Sequence, residues 1–224
     1  MFKKILIAED LDSISIGISK ALQDLGLQHF DHVKYCDDAH LKIKKALYDR
    51  EPFDLLITDL SFLPDFRTGQ NTLASGEELI EAVRKSQPDI KIIAFSIEDR
   101  PYRIKALFDK YQIAGFVAKG RNSITELQKA IQAISVSNKP YISAELSHVL
   151  NAPSVNEVDS VDLQILKSLS LGNTVEQISV LFKQHGHAPS STSSIEKRIN
   201  KMKIFFSAAN STHLVSLSKD LGMI

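Results

Sequence analysis

The chain has 224 residues, and its 27 lysines and arginines are balanced by 27 aspartates and glutamates. This length suffices for one large domain or two modest ones. The zero formal charge excludes a strongly basic coat protein and an acidic tail, but it leaves room for one basic face. The apolar runs fall far short of the ~18 residues of a membrane span, and the single cysteine, Cys36, excludes an intrachain disulfide. We therefore expect a soluble cytoplasmic protein without a membrane partner.

Residues 1–136 alternate short aliphatic runs with amphipathic stretches, as is typical of a parallel sheet covered by helices on both faces. The runs that predict strands are Lys4–Ala8, His32–Tyr35, Leu55–Thr58, Ile90–Phe95 and Gly115–Ala118. The stretches that predict helices are Ser13–Leu25, Asp38–Tyr48, Gly76–Lys85, Arg103–Asp109 and Ile124–Ser135. The expected fold is a doubly wound, flavodoxin-like α/β domain with five parallel strands. Residues 60–75 lack any periodicity, and a loop of that length indicates a functional or mobile segment.

Polar side chains stand where four of these strands end. Glu9 and Asp10 end the first strand, Asp59 the third, Ser96 the fourth and Lys119 the fifth. Ligands of doubly wound sheets bind at the carboxyl ends of the strands, so we expect these side chains to converge. Three neighbouring carboxylates favour a bound cation, and Mg²⁺ accepts such oxygen ligands.

A cation at this edge would allow one carboxylate to act as a nucleophile toward a phosphoryl group. Asp59 is the best nucleophile, because its strand is central in the predicted sheet. Lys119 and the Ser96 hydroxyl are then placed to hold the phosphoryl oxygens. The predicted chemistry is the formation of an aspartyl phosphate.

The motifs that carry these residues are Ile-Ala-Glu-Asp, Leu-Ile-Thr-Asp-Leu, Ile-Ile-Ala-Phe-Ser and Phe-Val-Ala-Lys-Gly. As a set they make residues 1–136 resemble the receiver domain of two-component response regulators. The resemblance implies a protein that is not an enzyme, accepts a phosphoryl group on Asp59 from a histidine kinase and loses it by slow self-dephosphorylation. It also implies that Glu9, Asp10, Asp59 and the carbonyl of Ser61 hold Mg²⁺.

The same resemblance gives roles to three further positions. Phe116, three residues before Lys119, matches the family's switch aromatic, which swings inward as the hydroxyl residue engages the phosphoryl group. Ser61 and Glu98 stand where the family tunes self-dephosphorylation. The chain departs from the family after Pro64, where several extra residues precede Gly76. This departure concerns the usual kinase or dimer contact on that face and not the chemistry.

The last third of the chain has a different pattern. Residues 137–158 contain turn formers and predict a linker with one short helix near Ala144–Leu150. From Asp159 onward the pattern is helical, and Thr174 and Gln177 have the spacing of a capping box. The predicted helices are Asp162–Ser170, Val175–Lys183, Ile195–Phe206 and Thr212–Leu221.

The order helix, turn, helix suggests a module that reads a DNA groove. In the third predicted helix, Lys197, Arg198 and Lys201 fall opposite an apolar face. Thr192 and Ser194 stand at the start of this helix. Side chains in these places can reach phosphates and base edges.

Three motifs make residues 159–221 resemble the tetrahelical, LuxR-type output domain of NarL/FixJ regulators: Gly-Asn-Thr-Val-Glu-Gln-Ile, Ser-Ile-Glu-Lys-Arg-Ile and Ser-Thr-His-Leu-Val. The resemblance implies DNA contacts by Lys197, Arg198 and Lys201, and a dimer face at Thr212–Leu217. The chain departs from the family in the pair Val161-Asp162, where Arg-Glu is usual. It departs again in the long turn Gln184–Ser193.

The resulting hypothesis is a regulator with a receiver domain at 1–136, a linker at 137–158 and an output domain at 159–224. Phosphorylation would permit a homodimer to bind promoter DNA. Two alternatives remain, a receiver coupled to a helical adaptor that binds protein and a metal-dependent phosphatase on a similar sheet. Zinc is a weaker hypothesis, because its candidate ligands scatter over two faces of a strand. These candidates are His29, His32, Cys36 and His40.

Overall fold

The structure, a computed structural model, describes residues 2–64, 73–151 and 158–224. The chain divides into two compact units. The first unit comprises residues 1–99 and 111–147, and the second comprises residues 100–110 and 148–224. The predicted boundaries at residues 136 and 158 stay predictions.

A parallel sheet forms the centre of the first unit. Its strands are β1 (Ile5–Ala8), β2 (Phe30–Val33), β3 (Leu55–Thr58), β4 (Lys91–Ser96), β5 (Gly115–Ala118) and β6 (Tyr141–Ile142). Their order is β2-β1-β3-β4-β5-β6, and every neighbouring pair is parallel. All residues of β1 and β3 are buried, which explains their unbroken aliphatic sequences. The order places β1 and β3 side by side, each with a neighbouring strand on both sides.

Helices cover this sheet. They are α1 (Asp12–Asp24), α2 (Cys36–Tyr48), α3 (Gly76–Ser86) and α5 (Ser123–Val136), while α4 (Pro101–Tyr111) groups with the second unit. Helices α1 and α5 pack together over a core that includes Ile7, Ile57 and Phe95. Helices α2 and α3 pack against each other. The predicted doubly wound fold is confirmed.

The expected strand count was wrong by one, because β6 lies in the segment predicted as linker. Tyr141 donates its backbone N–H to the Ala114 carbonyl at 3.0 Å, and Ser143 donates to the Phe116 carbonyl at 3.1 Å. This two-residue strand follows a Pro and lacks an aliphatic run, so hydrophobic pattern could not predict it. A 3-10 helix, Ala144–Asn151, follows where one short helix was predicted.

In the described part of the second unit, four further helices are α6 (Ser160–Ser170), α7 (Val175–Gln184), α8 (Thr192–Phe205) and α9 (Ser211–Asp220). Their apolar faces enclose a common core that includes Ile165, Phe182 and Ile199. The predicted capping box at Thr174 and Gln177 is confirmed, since both of its hydrogen bonds form. Within the described ranges, no helix has the length and apolar character needed to cross a membrane.

Candidate functional site

Asp59 directly follows β3, and its buried carboxylate has fixed partners on both oxygens. Oδ1 accepts hydrogen bonds from the backbone N–H groups of Leu60 at 2.6 Å and Ser61 at 3.3 Å. Oδ2 lies 2.6 Å from Nζ of Lys119, which follows β5. The two backbone donors set the rotation of the carboxylate, and Lys119 supplies the neighbouring positive charge.

Glu9 is a second buried carboxylate at the same ammonium group. Its Oε2 lies 2.8 Å from Nζ of Lys119, and its Oε1 accepts the Leu11 N–H at 3.2 Å. Burial raises the pKa of Glu9 and the charge of Asp59 adds to this rise, while Lys119 opposes it. One ammonium therefore serves two buried carboxylates, which leaves the pocket negative.

Asp10 completes the acidic cluster. Ligand oxygens of Glu9, Asp10 and Asp59 all lie within 4.8 Å of one another, and Asp10 Oδ2 accepts the backbone N–H of Leu63 at 2.8 Å. A set of hard carboxylate oxygens around one point is the arrangement that Mg²⁺ binds. The donor set thus fits the ion that the sequence predicts, although the assignment of these ligands stays a prediction.

Ser96 and Phe116 belong to the two strands beside this cluster. Ser96 is fully buried at the end of β4, and its Oγ accepts the Glu98 N–H at 3.4 Å. The Ser96 carbonyl accepts the backbone N–H of Lys119 at 2.8 Å. Phe116 is completely buried in β5. Side-chain contacts therefore join Asp59, Glu9 and Lys119 directly, and Ser96 joins them through the backbone of Lys119.

Gly76, the first residue of α3, is a site residue that the sequence motifs do not reveal. A Cβ atom at this position would lie 1.9 Å from the Asp59 carbonyl oxygen. Gly76 also donates its N–H to the Leu60 carbonyl at 3.0 Å, beside an antiparallel bridge between Ser61 and Ser75. Only glycine permits this approach of two backbones. The two ends of the long connection after Asp59 therefore lie side by side and are hydrogen-bonded to each other. Residues 65–72 of this connection lie outside the described ranges.

The structure gives the zinc hypothesis no support. Among the described residues, the acidic trio is the only cluster with metal-ligand geometry. His32 hydrogen-bonds through Nε2 to the Glu9 carbonyl at 2.7 Å. Cys36 is buried, and burial raises its pKa to about 12. A thiol with so high a pKa is a poor metal ligand at neutral pH.

The basic residues of α8 do not all occupy one face. Lys197 and Lys201 are exposed, as is Thr192, and Ser194 is half-buried. Ser191, not a predicted residue, provides the N-cap by accepting the Ser194 N–H at 3.3 Å. The part of these residues in DNA contact stays a prediction.

Arg198 lies at the side of α8 that meets α6. Its Nη1 lies 2.8 Å from Asp159 Oδ2 and 2.8 Å from Asp162 Oδ1, the two residues of the capping box that begins α6. Hydrogen bonds to Asp162 and Asp159 raise the pKa of Arg198. The sequence prediction placed Arg198 with Lys197 and Lys201 opposite the apolar face. The structure instead ties its guanidinium to α6.

The chain matches no protein-family model and no curated protein. Among solved structures, the RcsB response regulator of Salmonella typhimurium is similar, with a TM-score of 0.61 and 20% identity over 97% of this chain and 99% of that one. RcsB from Salmonella enterica serovar Typhimurium, bound to promoter rprA with the phosphomimetic BeF₃⁻, has a TM-score of 0.58 at 20% identity over 98% and 99% of the two chains. The isolated REC domain of that RcsB, also with BeF₃⁻, has a TM-score of 0.52 at 24% identity over 66% and 98%. At these identities the likeness is one of fold.

Proposed function

We propose that the chain is a response regulator that accepts a phosphoryl group on Asp59 from a histidine kinase and then binds promoter DNA as a homodimer. The observation that carries the proposal is the Lys119 ammonium held between Asp59 and Glu9, with Asp10 in the same cluster. A further support is the likeness of fold to RcsB structures that contain promoter DNA or a phosphomimetic.

In the proposed reaction an oxygen of Asp59 attacks the phosphorus of a phosphohistidine. The P–N bond breaks, its electron pair leaves with the imidazole, and Asp59 carries the phosphoryl group as an acyl phosphate. The N–H donors of Leu60 and Ser61 orient the carboxylate for this attack. Lys119 and Ser96 then stabilise the negative oxygens of the transferred group.

The residues that would hold Mg²⁺ are Glu9, Asp10, Asp59 and the carbonyl of Ser61. The ion, when bound, supplies positive charge that stabilises the transferring phosphoryl group. Its need follows from the charges of the pocket, because three carboxylates face one ammonium group among the residues that the structure describes. Ser61 and Glu98, which neighbour the site on two loops, are the positions that tune hydrolysis of the acyl phosphate.

Phosphorylation adds about −1.5 to −2 charges beside Lys119 and Ser96. The new oxygens attract both side chains, and Lys119 is joined to Ser96 by a backbone hydrogen bond of 2.8 Å. Phe116 lies in β5, three residues before Lys119, and reports this change as the switch aromatic. The event is local, and its readout is a changed surface for dimerisation.

Lys197 and Lys201 provide the proposed phosphate contacts, with Thr192 and Ser194 at the start of α8. Residues 159–224 contain seven lysines and arginines and five acids, which is a modest excess for a DNA-binding unit. Two of those acids, Asp159 and Asp162, are engaged by Arg198. Outside this ion-paired group residues 159–224 hold six basic residues against three acids, while the group itself carries one net negative charge.

A second candidate function is an adaptor whose helical unit binds a protein. The observation that favours it is Glu196, an exposed acid on the same helix as the proposed DNA contacts. A uniform phosphate-binding face would exclude such a residue.

One experiment separates the two candidates. The full chain is treated with acetyl phosphate and Mg²⁺ and mixed with random-sequence double-stranded DNA, and phosphoryl content and retained DNA are measured at two salt concentrations. We expect phosphoryl uptake together with DNA retention that falls steeply with salt. The Lys197→Gln/Lys201→Gln variant should lose retention, and the control Lys44→Gln/Lys45→Gln on exposed positions of α2 should keep it. Uptake without any retention would support the adaptor, and no uptake would overturn the regulator.

A further inference from the structure

The exposed face of α8 carries two chemically different stripes. Successive residues of an α-helix turn by about 100°, so residues four apart lie on one stripe. Lys197 and Lys201 form a cationic stripe, and Glu196 and Asn200 form a second stripe beside it. All four residues are exposed. Glu196 and Asn200 are not among the contacts that the sequence predicts, because neither residue is positively charged.

The rotation of α8 that exposes both stripes is fixed from the opposite side. Ile195, Ile199 and Met202 are buried in the core of the second unit. Arg198 anchors a third side of the helix to the start of α6 through its two contacts of 2.8 Å. The Glu196–Asn200 stripe therefore faces outward as a result of packing on two sides of the helix.

We propose that the Glu196–Asn200 stripe reads base edges, with Asn200 selecting adenine and Glu196 selecting cytosine. This inference rests on the proposed DNA binding and adds sequence preference to it. A phosphate beside Glu196 would meet like charge, so the sugar-phosphate backbone is excluded from this stripe and directed to the Lys197–Lys201 stripe. The side that carries Glu196 must instead face the floor of the groove.

The chemistry of the two side chains sets the bases that they recognise. An asparagine amide offers one donor and one acceptor, which match N7 and the N6 amino group of adenine in the major groove. An ionised glutamate only accepts, and the exposed amino group of cytosine is its matching donor. The two residues are separated by about 6 Å along the helix axis. Base pairs repeat every ~3.4 Å, so the two selected positions should be one or two steps apart.

The test is a selection of binding sites from random double-stranded DNA by the full chain treated with acetyl phosphate and Mg²⁺. The affinity for the selected site is then measured with each base at each position. We expect one position to prefer adenine by about 5- to 150-fold over other bases, the range of a good bidentate contact. A second position one or two steps away should prefer cytosine.

Three variants locate these preferences. Asn200→Ala should remove the adenine preference and leave the other positions unchanged, and Asn200→Asp, of equal size, should move that preference from adenine to cytosine. Glu196→Gln should abolish the cytosine preference alone. The control Lys201→Gln should weaken binding to all sequences by a similar factor and reduce the salt slope. Each substitution is at an exposed helical position, and circular dichroism checks that the helices persist.

The outcomes separate this inference from the proposed function. If wild type selects a site and Asn200→Ala shows the same preferences, Asn200 reads no base and the inference is wrong. If Asn200→Ala weakens binding equally to every sequence, the residue contacts the backbone and the inference is again wrong. If phosphorylated wild type retains no DNA at all, the DNA-binding function itself fails.

Discussion

Arg198 provides a quantitative test of how α8 is held. The substitution Arg198→Met removes the guanidinium and keeps much of the aliphatic side chain. It leaves Asp162, whose side chain is only 5% exposed, without its cation. Asp159 also loses this cation, but its side chain is 54% exposed and can be solvated by water. The loss is therefore dominated by the buried carboxylate.

The magnitude follows from these exposures. The pair with Asp159 contributes about 0–1 kcal/mol, as exposed pairs do. Removing one partner of a fully buried pair costs about 3–5 kcal/mol, but Arg198 itself is 29% exposed, so solvent reduces that cost. We expect the free energy of unfolding to fall by about 2–3 kcal/mol in total. For a unit of this size the melting temperature should fall by about 10–20 °C.

The assay is calorimetric unfolding of the full chain at neutral pH, with Asp162→Asn alone and combined with Arg198→Met. Asn at position 162 keeps an oxygen that accepts the Asp159 N–H, a bond of 3.2 Å, while the charge is removed. The double variant should therefore be more stable than Arg198→Met alone. A cost below about 0.5 kcal/mol for Arg198→Met, the ordinary range of a surface substitution, would refute this reasoning. So would a double variant whose loss equals the sum of the two single losses.

The same variant has a defined pH dependence. Burial raises the pKa of Asp159, but hydrogen bonds from the Asp162 N–H and from Arg198 outweigh it, so the pKa is lowered overall. A carboxylate with a lowered folded-state pKa stabilises the fold above its unfolded value of about 3.9, and this contribution is lost as pH falls through the folded value. The cost of Arg198→Met should therefore shrink below about pH 4. A cost of Arg198→Met that does not change with pH would contradict an ionic contribution of Arg198 to stability.

Three further predictions concern the first unit. Gly76→Ala should lower the free energy of unfolding in urea by about 1–3 kcal/mol, because its Cβ would meet the Asp59 carbonyl, and an unchanged midpoint would contradict that contact. Burial raises the pKa of Glu9, so the stability of wild type relative to Glu9→Gln should fall as pH rises above about 4.3. Urea unfolding of both proteins at a series of pH values measures this difference in stability. A difference that stays constant with pH would contradict the raised pKa of Glu9. The Cys36 thiol is buried and has a pKa of about 12, so it should react with a thiol reagent only after the chain unfolds. Rapid labelling of Cys36 in the native chain would contradict this prediction.

Sequence pattern predicted the central strands closely, because a fully buried strand is aliphatic at every position. Strands β1 and β3 end at the predicted residues, and the acidic pocket followed from what stands after them. Strand β6 escaped prediction because Tyr141–Ile142 at the sheet edge has neither length nor alternation. A strand of two residues forms through backbone hydrogen bonds to its neighbour, and the side-chain pattern of the sequence does not reveal these bonds.

The placement of Arg198 shows a different limit. Its partners Asp159 and Asp162 lie 39 and 36 residues away in sequence, and the sequence around them indicates a helix start and no ionic site. Arg198 follows Lys197 directly, so the two side chains are separated by only about 100° around α8. Helical periodicity alone therefore predicts that Arg198 lies near the exposed face. Only the packing of α6 beside α8 decides which of the basic residues points outward.

The most direct measurement for the central claim locates the phosphoryl group. The full chain is incubated with acetyl phosphate and Mg²⁺, the acyl phosphate is reduced with borohydride, and peptides are mapped by mass spectrometry. We expect the reduced product, homoserine, at position 59 and nowhere else. It should be absent in Asp59→Asn and unaffected in the control Asp49→Asn, whose residue is exposed at the end of α2. Modification at another carboxylate, or undiminished uptake by Asp59→Asn, would show that Asp59 is not the phosphoryl acceptor.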